Sequence, residues 1–299
     1  MKNFPKLIAT LALATLAGGV MAQGTLDKIK SSGSITIGHR DASIPFSYLD
    51  DKQQPIGYSM DLCAKIVDAI KADLKMSALK VNLQPVTGAT RIPLMANGTI
   101  DIECGSTTNN AARQQQVAYT MTSFVTANRF ASKKADNLNV LDDLKSKTVV
   151  STSGTTNIKQ ITELNAAKNL GINILVAKDH AESFLMMDTG RAVAFIMDDI
   201  LLAGLVANHA TPDKFSVSKD SLSVEPYGIM LRKDDPAFKK VVDSAMMGLM
   251  KSGEINKIYA KWFQSPIPPR NINLNIPMSD ALKKVIANPT DSPDPAVYQ

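Results

Sequence analysis

Three arginines are prominent in the sequence because arginine is scarce and all three follow predicted strands. Of 33 basic residues only seven are arginine. Arg40, Arg91 and Arg113 come after successive predicted strands in the N-terminal half of the chain. A guanidinium stays charged and binds a carboxylate through two parallel hydrogen bonds. Together, the three arginines could neutralise the two carboxylates of one ligand.

Other polar groups that suit such a ligand also follow predicted strands. Ser106 and Thr108 follow the same strand that precedes Arg113, and His180 follows a strand in the C-terminal half. Thr156 lies at a predicted helix start, where free backbone N–H groups attract anions. Asp198 ends a strand and supplies a single acid, which suits an ammonium group. Two carboxylates and one ammonium describe a dicarboxylic amino acid.

Each of these residues also has an ordinary structural interpretation. An arginine at a strand end more often forms a surface ion pair. A Gly-Thr-Thr sequence before a helix, as at 154–156, more often caps that helix. His180, next to Asp179, is more often a polar group at a helix start. The prediction of a ligand site therefore depends on the whole set and on no single member.

The pattern of the chain predicts an α/β fold with two lobes. Helices are predicted at 57–74, 90–95, 110–118, 153–170, 179–189, 199–208, 236–252, 254–263 and 279–287. Strands are predicted at 34–38, 80–85, 100–104, 147–151, 173–177 and 191–198. Alternation of short β-branched runs with amphipathic segments is typical of mostly parallel sheets flanked by helices. Two extended segments, near 123–132 and 224–233, divide the series and are expected to act as a hinge.

Composition excludes several classes of protein. The chain has 299 residues, of which 44% are apolar and 20% are charged, so it can form a packed core. The net charge is +5, but the lysines are scattered among acids, and no basic block carries interleaved aromatic residues. We therefore expect no nucleic-acid partner. With three histidines, two cysteines and no CxxC or HExxH motif, we expect neither a metal nor a cofactor.

The N-terminus has the pattern of a cleaved signal peptide at residues 1–22. Lys2 and Lys6 precede an apolar run at 7–20, and small residues lead to a cleavage site after Ala22. The run is shorter than the roughly 18 to 20 residues of a membrane-spanning helix. The sequence therefore predicts a soluble protein exported to the periplasm.

Export also bears on the two cysteines, Cys63 and Cys104. An oxidising compartment permits a disulfide between them. Two buried thiols are the alternative, because free cysteine is often interior. The sequence alone leaves both possibilities open.

Many short segments of the chain resemble one protein family, in the same order along the sequence. They are 38–40, 45–48, 57–61, 91–94, 103–110 with Arg113, 153–156, 177–180, 191–199, 227–228 and 231–236. Over roughly residues 24 to 290 the chain resembles the periplasmic glutamate/aspartate-binding proteins, the solute receptors of polar amino acid ABC transporters. The resemblance implies a two-lobe class II periplasmic binding fold. It places 24–124 plus 228–299 in lobe 1 and 130–224 in lobe 2.

The resemblance also implies a role for each candidate residue. Arg113 and Thr156 would hold the α-carboxylate, and Asp198 would take the ammonium, with Ser106 and Thr108 nearby. The remaining three residues would hold the side-chain carboxylate; they are Arg40, Arg91 and His180. One position departs from the family pattern: relatives often carry a serine where this chain has Thr87-Gly88-Ala89, and Thr87 could supply that hydroxyl.

The resemblance implies a binding function, and the sequence leaves two alternatives to it. A binding protein would capture L-glutamate or L-aspartate and pass it to the permease and ATPase subunits of an ABC transporter, acting as a monomer. A periplasmic enzyme of the dehydratase type shares the fold but needs a general acid, for which His180 or Asp199 could serve. A sensor domain would need a transmembrane helix, and no second apolar run is long enough for one.

Overall fold

The computed structural model describes residues 24–299, and the predicted signal peptide lies outside the described residues. The helices are α1 Thr25–Ser32, α2 Tyr58–Asp73, α3 Arg91–Ala96, α4 Ala111–Gln114, α5 Thr156–Lys168, α6 His180–Asp188, α7 Asp199–Ala207, α8 Pro236–Ser252, α9 Glu254–Phe263 and α10 Asp280–Ala287. The strands are β1 Ser34–His39, β2 Ala42–Ser43, β3 Ser47–Leu49, β4 Pro55–Ile56, β5 Lys80–Pro85, β6 Ile102–Cys104, β7 Val117–Tyr119, β8 Phe124–Lys133, β9 Thr148–Thr152, β10 Asn173–Ala177, β11 Ala194–Asp198, β12 Phe215–Val217, β13 Ser223–Tyr227 and β14 Met230–Arg232. None of the helices described here has both the length and the apolar character needed to cross a membrane.

Two larger sheets form the centres of two lobes. The first lobe is built on the strand order β5-β1-β6-β14-β7, and the second lobe on β10-β9-β11-β8-β12, with β13 also paired to β8. Strands β2, β3 and β4 form a small separate sheet. In the first sheet β5, β1 and β6 are parallel, whereas β14 is antiparallel to both neighbours. In the second, β10, β9 and β11 are parallel, and β8 is antiparallel to its neighbours. The sheets are thus mixed, where the pattern predicted mostly parallel ones.

The antiparallel strands are the ones that pass between the lobes. Strands β7 and β14 lie in the first sheet; the chain runs from β7 into β8 of the second sheet and returns from β13 of the second sheet into β14. The two connections run side by side, because the N–H of Ser123 donates to the carbonyl of Tyr227 at 2.8 Å and Thr120 donates to Ile229 at 3.0 Å. Two adjacent crossings leave the lobes joined by a narrow ribbon.

Helix α2 illustrates how the sequence pattern produces a packed layer. Leu62, Ile66 and Ile70 recur every fourth residue and therefore lie on one face. All three are completely buried. This face packs with α8 and α9 and covers one side of the first sheet near β6.

The prediction of a helix at 110–118 is wrong in its second half. Helix α4 ends at Gln114, and residues 117–119 form strand β7. Val117 and Tyr119 are both buried, and β7 pairs with β14 through Met230 and Arg232. The pairing partner lies more than a hundred residues away, so tertiary structure overrides the local helical pattern.

Cys63 and Cys104 form a disulfide in the structure, with a Cα–Cα distance of 6.2 Å. Cys63 lies on the buried face of α2, and Cys104 is the last residue of β6. The bond therefore joins α2 to the strand end from which the loop containing Ser106 and Thr108 begins.

Candidate functional site

A small cavity lies between the lobes, at the carboxyl ends of the parallel strands. The space inside it that a water molecule can occupy is only about 10 Å³. Its walls are formed by Arg40, Arg91, Ser106, Thr108, Thr155, Thr156, Asn157, His180, Met197, Asp198 and Leu201. The sequence predicted eight site residues, and all of them except Arg113 line this cavity. Because parallel strands of one sheet end at the same edge, residues far apart in sequence are brought together there.

Arg113 lies beside the cavity and links the two lobes. Asn110 caps α4 by accepting a hydrogen bond from the backbone N–H of Arg113 at 2.9 Å. The guanidinium donates through Nη1 to the carbonyl of Thr108 at 2.9 Å, and through Nη2 to the carbonyl of Gly154 in the second lobe at 3.1 Å. This side chain is therefore placed where Thr108 and the start of α5 meet.

The arginines Arg40 and Arg91 form a buried positive cluster, and each is only 2% exposed. Arg91 Nη1 donates to the carbonyl of Ser106 at 3.2 Å and to the hydroxyl of Thr107 at 2.5 Å. Arg40 Nη1 and Arg91 Nε have no hydrogen-bond partner within residues 24–299. Buried donors without partners are costly, so an acceptor in the cavity would be stabilising.

The charges around Arg91 lead to the same conclusion. Burial, followed by the positive charges of Arg113 and Arg40, lowers the pKa of Arg91 to about 9, and only Glu103 and Tyr119 oppose this. Glu103 accepts a hydrogen bond from Thr107 at 2.7 Å and lies completely buried behind the pair. One buried carboxylate facing two buried guanidiniums leaves the cluster short of negative charge. A carboxylate ligand would supply it.

His180 is a neutral neighbour of Arg40. Its Nδ1 lies 2.9 Å from the hydroxyl of Thr152, and its Nε2 lies 3.5 Å from Arg40 Nη2. Arginine can only donate, so Nε2 accepts and the proton lies on Nδ1. Burial and the charges of Arg40 and Arg91 lower the pKa of His180 well below its ordinary value. The uncharged ring therefore orients Arg40 and adds no positive charge.

Asp198 supplies the negative side of the cavity. Its Oδ1 accepts from Asn157 Nδ2 at 2.7 Å, and its Oδ2 accepts from the hydroxyl of Tyr227. Burial, and then the charge of Glu225, raises the pKa of Asp198 to about 7, although the two hydrogen bonds act in the opposite direction. A cation placed beside Asp198 would offset these two effects and favour the ionised carboxylate.

The lobes are in direct contact around the cavity. A Cβ at Gly88 would collide with the carbonyl oxygen of Ser153, and a Cβ at Gly154 would collide with the backbone of Gly88. A side chain at position 88 would therefore not fit without a shift. Thr87, which could supply the hydroxyl of this loop, is not among the residues that line the cavity, and its hydroxyl lies 3.2 Å from that of Thr90.

Several residues of the site were not found by sequence reasoning. Asn157 and Thr155 flank the predicted Thr156, and Met197 precedes Asp198, so proximity to a candidate was the available signal. Glu225 and Tyr227 lie in the predicted crossing segment, where nothing in the local pattern shows that they hydrogen-bond to Thr156 and Asp198.

The family to which the chain belongs agrees with this geometry. Residues 35–265 match the family model of bacterial extracellular solute-binding proteins, family 3. The chain belongs to this family. Its two lobes, narrow crossing and polar cleft are thus those of a solute-binding protein.

Similar proteins support this assignment. An L-glutamate/L-aspartate-binding protein of Pseudomonas aeruginosa is 54% identical over 97% of this chain and 98% of its own length. A glutamate/aspartate import solute-binding protein of Escherichia coli K12 is 46% identical, covering 95% of this chain and 96% of that one. Among solved structures, a variant of ArgBP from T. maritima has a TM-score of 0.72 at 25% identity, covering 80% of this chain and 99% of that chain. The predicted two-lobe α/β fold of this solute-binding protein is confirmed, and the enzyme alternative is not favoured.

Proposed function

We propose that this solute-binding protein captures L-glutamate or L-aspartate between its lobes and delivers it to the permease and ATPase subunits of an ABC importer. One observation carries the proposal: the cavity places two buried arginines with unpartnered nitrogens, Arg40 and Arg91, together with a buried carboxylate, Asp198. An acidic amino acid has the complementary charges. The names of the two curated relatives support the same ligand class.

The ligand is oriented by the distribution of charge. Arg113 binds the α-carboxylate together with Thr156 at the start of α5, where the helix N-terminus favours an anion. Asp198 receives the ammonium, with Ser106 and Thr108 beside it. The side-chain carboxylate lies between the two buried arginines Arg40 and Arg91, next to His180. Each subsite then places opposite charges together.

Ligand binding closes the lobes about the two crossings. Lobe 1 comprises 24–124 plus 228–299, lobe 2 comprises 130–224, and the hinge lies near 123–132 and 224–233. Each lobe carries only part of the site, so a ligand gains contacts in the closed form that the open form lacks. Small-angle scattering of protein stripped by unfolding and refolding should show a smaller radius of gyration with glutamate. An unchanged radius would remove support for closure.

Residues 1–22 direct export to the periplasm, where a cleaved signal peptide leaves the mature binding protein. The family is one of extracellular proteins, which agrees with this location. Mass spectrometry of the protein from a periplasmic extract should find a mature N-terminus at Gln23. A retained Met1 would contradict cleavage.

Neither His180 nor Asp199, the two general-acid candidates of the enzyme alternative, is suited to that role. His180 is held neutral by burial and two guanidiniums. Asp199 lies outside the cavity lining and is bonded to Thr126 at 2.5 Å and to Arg129 at 3.2 Å. Neither group offers a proton to a ligand in the cleft.

Isothermal titration of the stripped protein against the twenty amino acids tests the ligand class. We expect glutamate or aspartate to bind most tightly, and glutamine and asparagine to bind far more weakly, because an amide cannot neutralise Arg40 and Arg91. Recovery of unchanged ligand after incubation would separate binding from catalysis. Tight binding of a neutral or basic amino acid without binding of an acidic one would overturn the proposal.

A further inference from the structure

Glu225 is a buried carboxylate that has no role in the ligand contacts proposed above. It lies on β13, in one of the two crossings between the lobes, and is 2% exposed. Its Oε1 accepts from Gln160 Nε2 and from the hydroxyl of Ser223, both at 2.5 Å. Its Oε2 accepts from the hydroxyl of Thr156 at 3.0 Å. No salt bridge to Glu225 is formed within residues 24–299, so its charge is held by neutral donors alone.

The bond to Glu225 fixes the direction of the Thr156 hydroxyl. An ionised carboxylate can only accept, so the single proton of Thr156 Oγ1 points to Glu225. The lone pairs of this oxygen are then directed elsewhere, and Thr108 Oγ1 lies 3.5 Å away across the cleft. Thr156 lines the cavity. Its hydroxyl can therefore accept a hydrogen bond from a ligand N–H, which leaves its backbone N–H for a carboxylate.

Glu225 also acts on Asp198 through its charge. The groups that influence Asp198 come from three elements: Glu225 and Tyr227 on β13, Asn157 on α5 and Asp199 on α7. Asp199 is ion-paired with Arg129 and partly exposed, so its charge is screened. Glu225 has no such counter-ion. Two uncompensated carboxylates near one end of a small cavity favour a cation there.

We propose that Glu225 is a positioning residue of the ammonium subsite, which turns the Thr156 hydroxyl into an acceptor and supplies a second negative charge behind Asp198. The inference rests on the proposed function, because it needs a ligand that carries an ammonium group. It also places a determinant of ligand binding on the hinge itself. A movement of β13 would then also move Glu225 relative to Thr156 and Asp198 in the ammonium subsite.

Glu225→Gln tests the charge while keeping the shape and a carbonyl acceptor for Thr156. At pH 8, where Asp198 is ionised, we expect glutamate to bind about 10-fold more weakly, in line with the loss of one charge-assisted interaction. Although binding at pH 8 is weaker, the pH below which the variant loses glutamate should be lower than in the wild type. Loss of the Glu225 charge lowers the pKa of Asp198, so binding, which needs ionised Asp198, persists to lower pH than in the wild type. A purely structural role would weaken binding without moving the profile.

Three further variants make the test decisive. Asp199→Asn removes the carboxylate adjacent to Asp198 that is already paired with Arg129, and it should shift the pH profile by less than Glu225→Gln does. Glu225→Asp keeps the charge but moves the carboxylate away from Thr156 by one methylene. The affinity for glutamate should therefore fall, while the pH profile of binding stays near that of the wild type. Thr156→Val combined with Glu225→Gln should weaken binding by less than the sum of the single changes, since the two residues act together.

The outcomes separate this inference from the proposed function. If the wild type binds no acidic amino acid, the proposed function fails. If the wild type binds glutamate or aspartate, but Glu225→Gln keeps its affinity within twofold and its pH profile, only the role of Glu225 is overturned. Equal shifts of the profile in Glu225→Asp and Glu225→Gln would also overturn it, because the charge would then be irrelevant.

Discussion

Replacement of Arg113 by alanine should nearly abolish ligand binding. In the proposed complex its guanidinium donates two hydrogen bonds to the α-carboxylate, while it remains next to the carbonyls of Thr108 and Gly154 on opposite lobes. A hydrogen bond to a charged group contributes about 1.5–3 kcal/mol. Truncation also leaves the ligand carboxylate unpaired in a cavity with little room for water.

The expected loss is about 3–5 kcal/mol, which corresponds to a roughly 100-fold to several thousand-fold increase in Kd. Arg113→Lys keeps the charge but loses the planar fork, so its effect should be intermediate. Arg191→Ala is the matched control, since Arg191 is an exposed arginine of the second lobe. It should leave the Kd unchanged.

Isothermal titration with stripped protein measures these differences directly. Thermal unfolding of the ligand-free variants must accompany it, because Arg113 also holds the loop at Thr108 in place. A variant that retains the wild-type melting temperature but binds more weakly by roughly 100-fold or more supports a direct contact. A tenfold or smaller loss in Arg113→Ala, or an equal loss in Arg191→Ala, would refute the assigned role.

Three other changes address selectivity, closure and stability. Replacing both Arg40 and Arg91 by glutamine should narrow the difference in affinity between glutamate and glutamine, as measured by titration; a parallel fall for both ligands would show that the orientation is wrong. Gly88→Val should weaken binding roughly 5- to 150-fold, from an overpacking cost of about 1–3 kcal/mol where the lobes meet. Its ligand-free melting temperature should stay near that of the wild type, and an unchanged Kd would show that this contact is not needed for closure. Replacing Cys63 and Cys104 by serine opens a bond that spans 41 residues and should lower the free energy of unfolding by about 4 kcal/mol in urea titrations. A loss below about 1 kcal/mol would mean that the unfolded chain is little restrained by the bond.

Most of the cavity wall could be predicted from sequence for one physical reason. Arg40 follows β1, Ser106 follows β6 and Asp198 ends β11, and each of these strands is recognisable from its own apolar, β-branched residues. Once the strands are parallel within a sheet, their carboxyl ends must share an edge. Residue type then indicates the chemistry, since scarce arginines at such an edge suit carboxylates.

Tertiary structure decided what depends on distant partners. Val117 and Tyr119 became a strand because β14 lies beside them, and no local pattern carries that information. The pairing of Cys63 with Cys104 depends on the packing of α2 against β6, which brings their Cα atoms to 6.2 Å. Spacing along the chain does not contain this distance.

The same distinction applies to the polarity of the site. The sequence predicted Asp198 as the acid for an ammonium, but the second carboxylate, Glu225, reaches Thr156 only because β13 pairs with β8. From sequence, Gly88 is likewise an ordinary loop residue; only the fold shows that the backbone of the second lobe leaves no room for a side chain there. Local propensity and periodicity are properties of a segment, so the sequence alone predicted the strands that end before Arg40 and Ser106 and at Asp198, and from those residues the proposed class of ligand. Contacts between the lobes, and the charges that they place together, exist only in the folded chain, so the structure alone decided them.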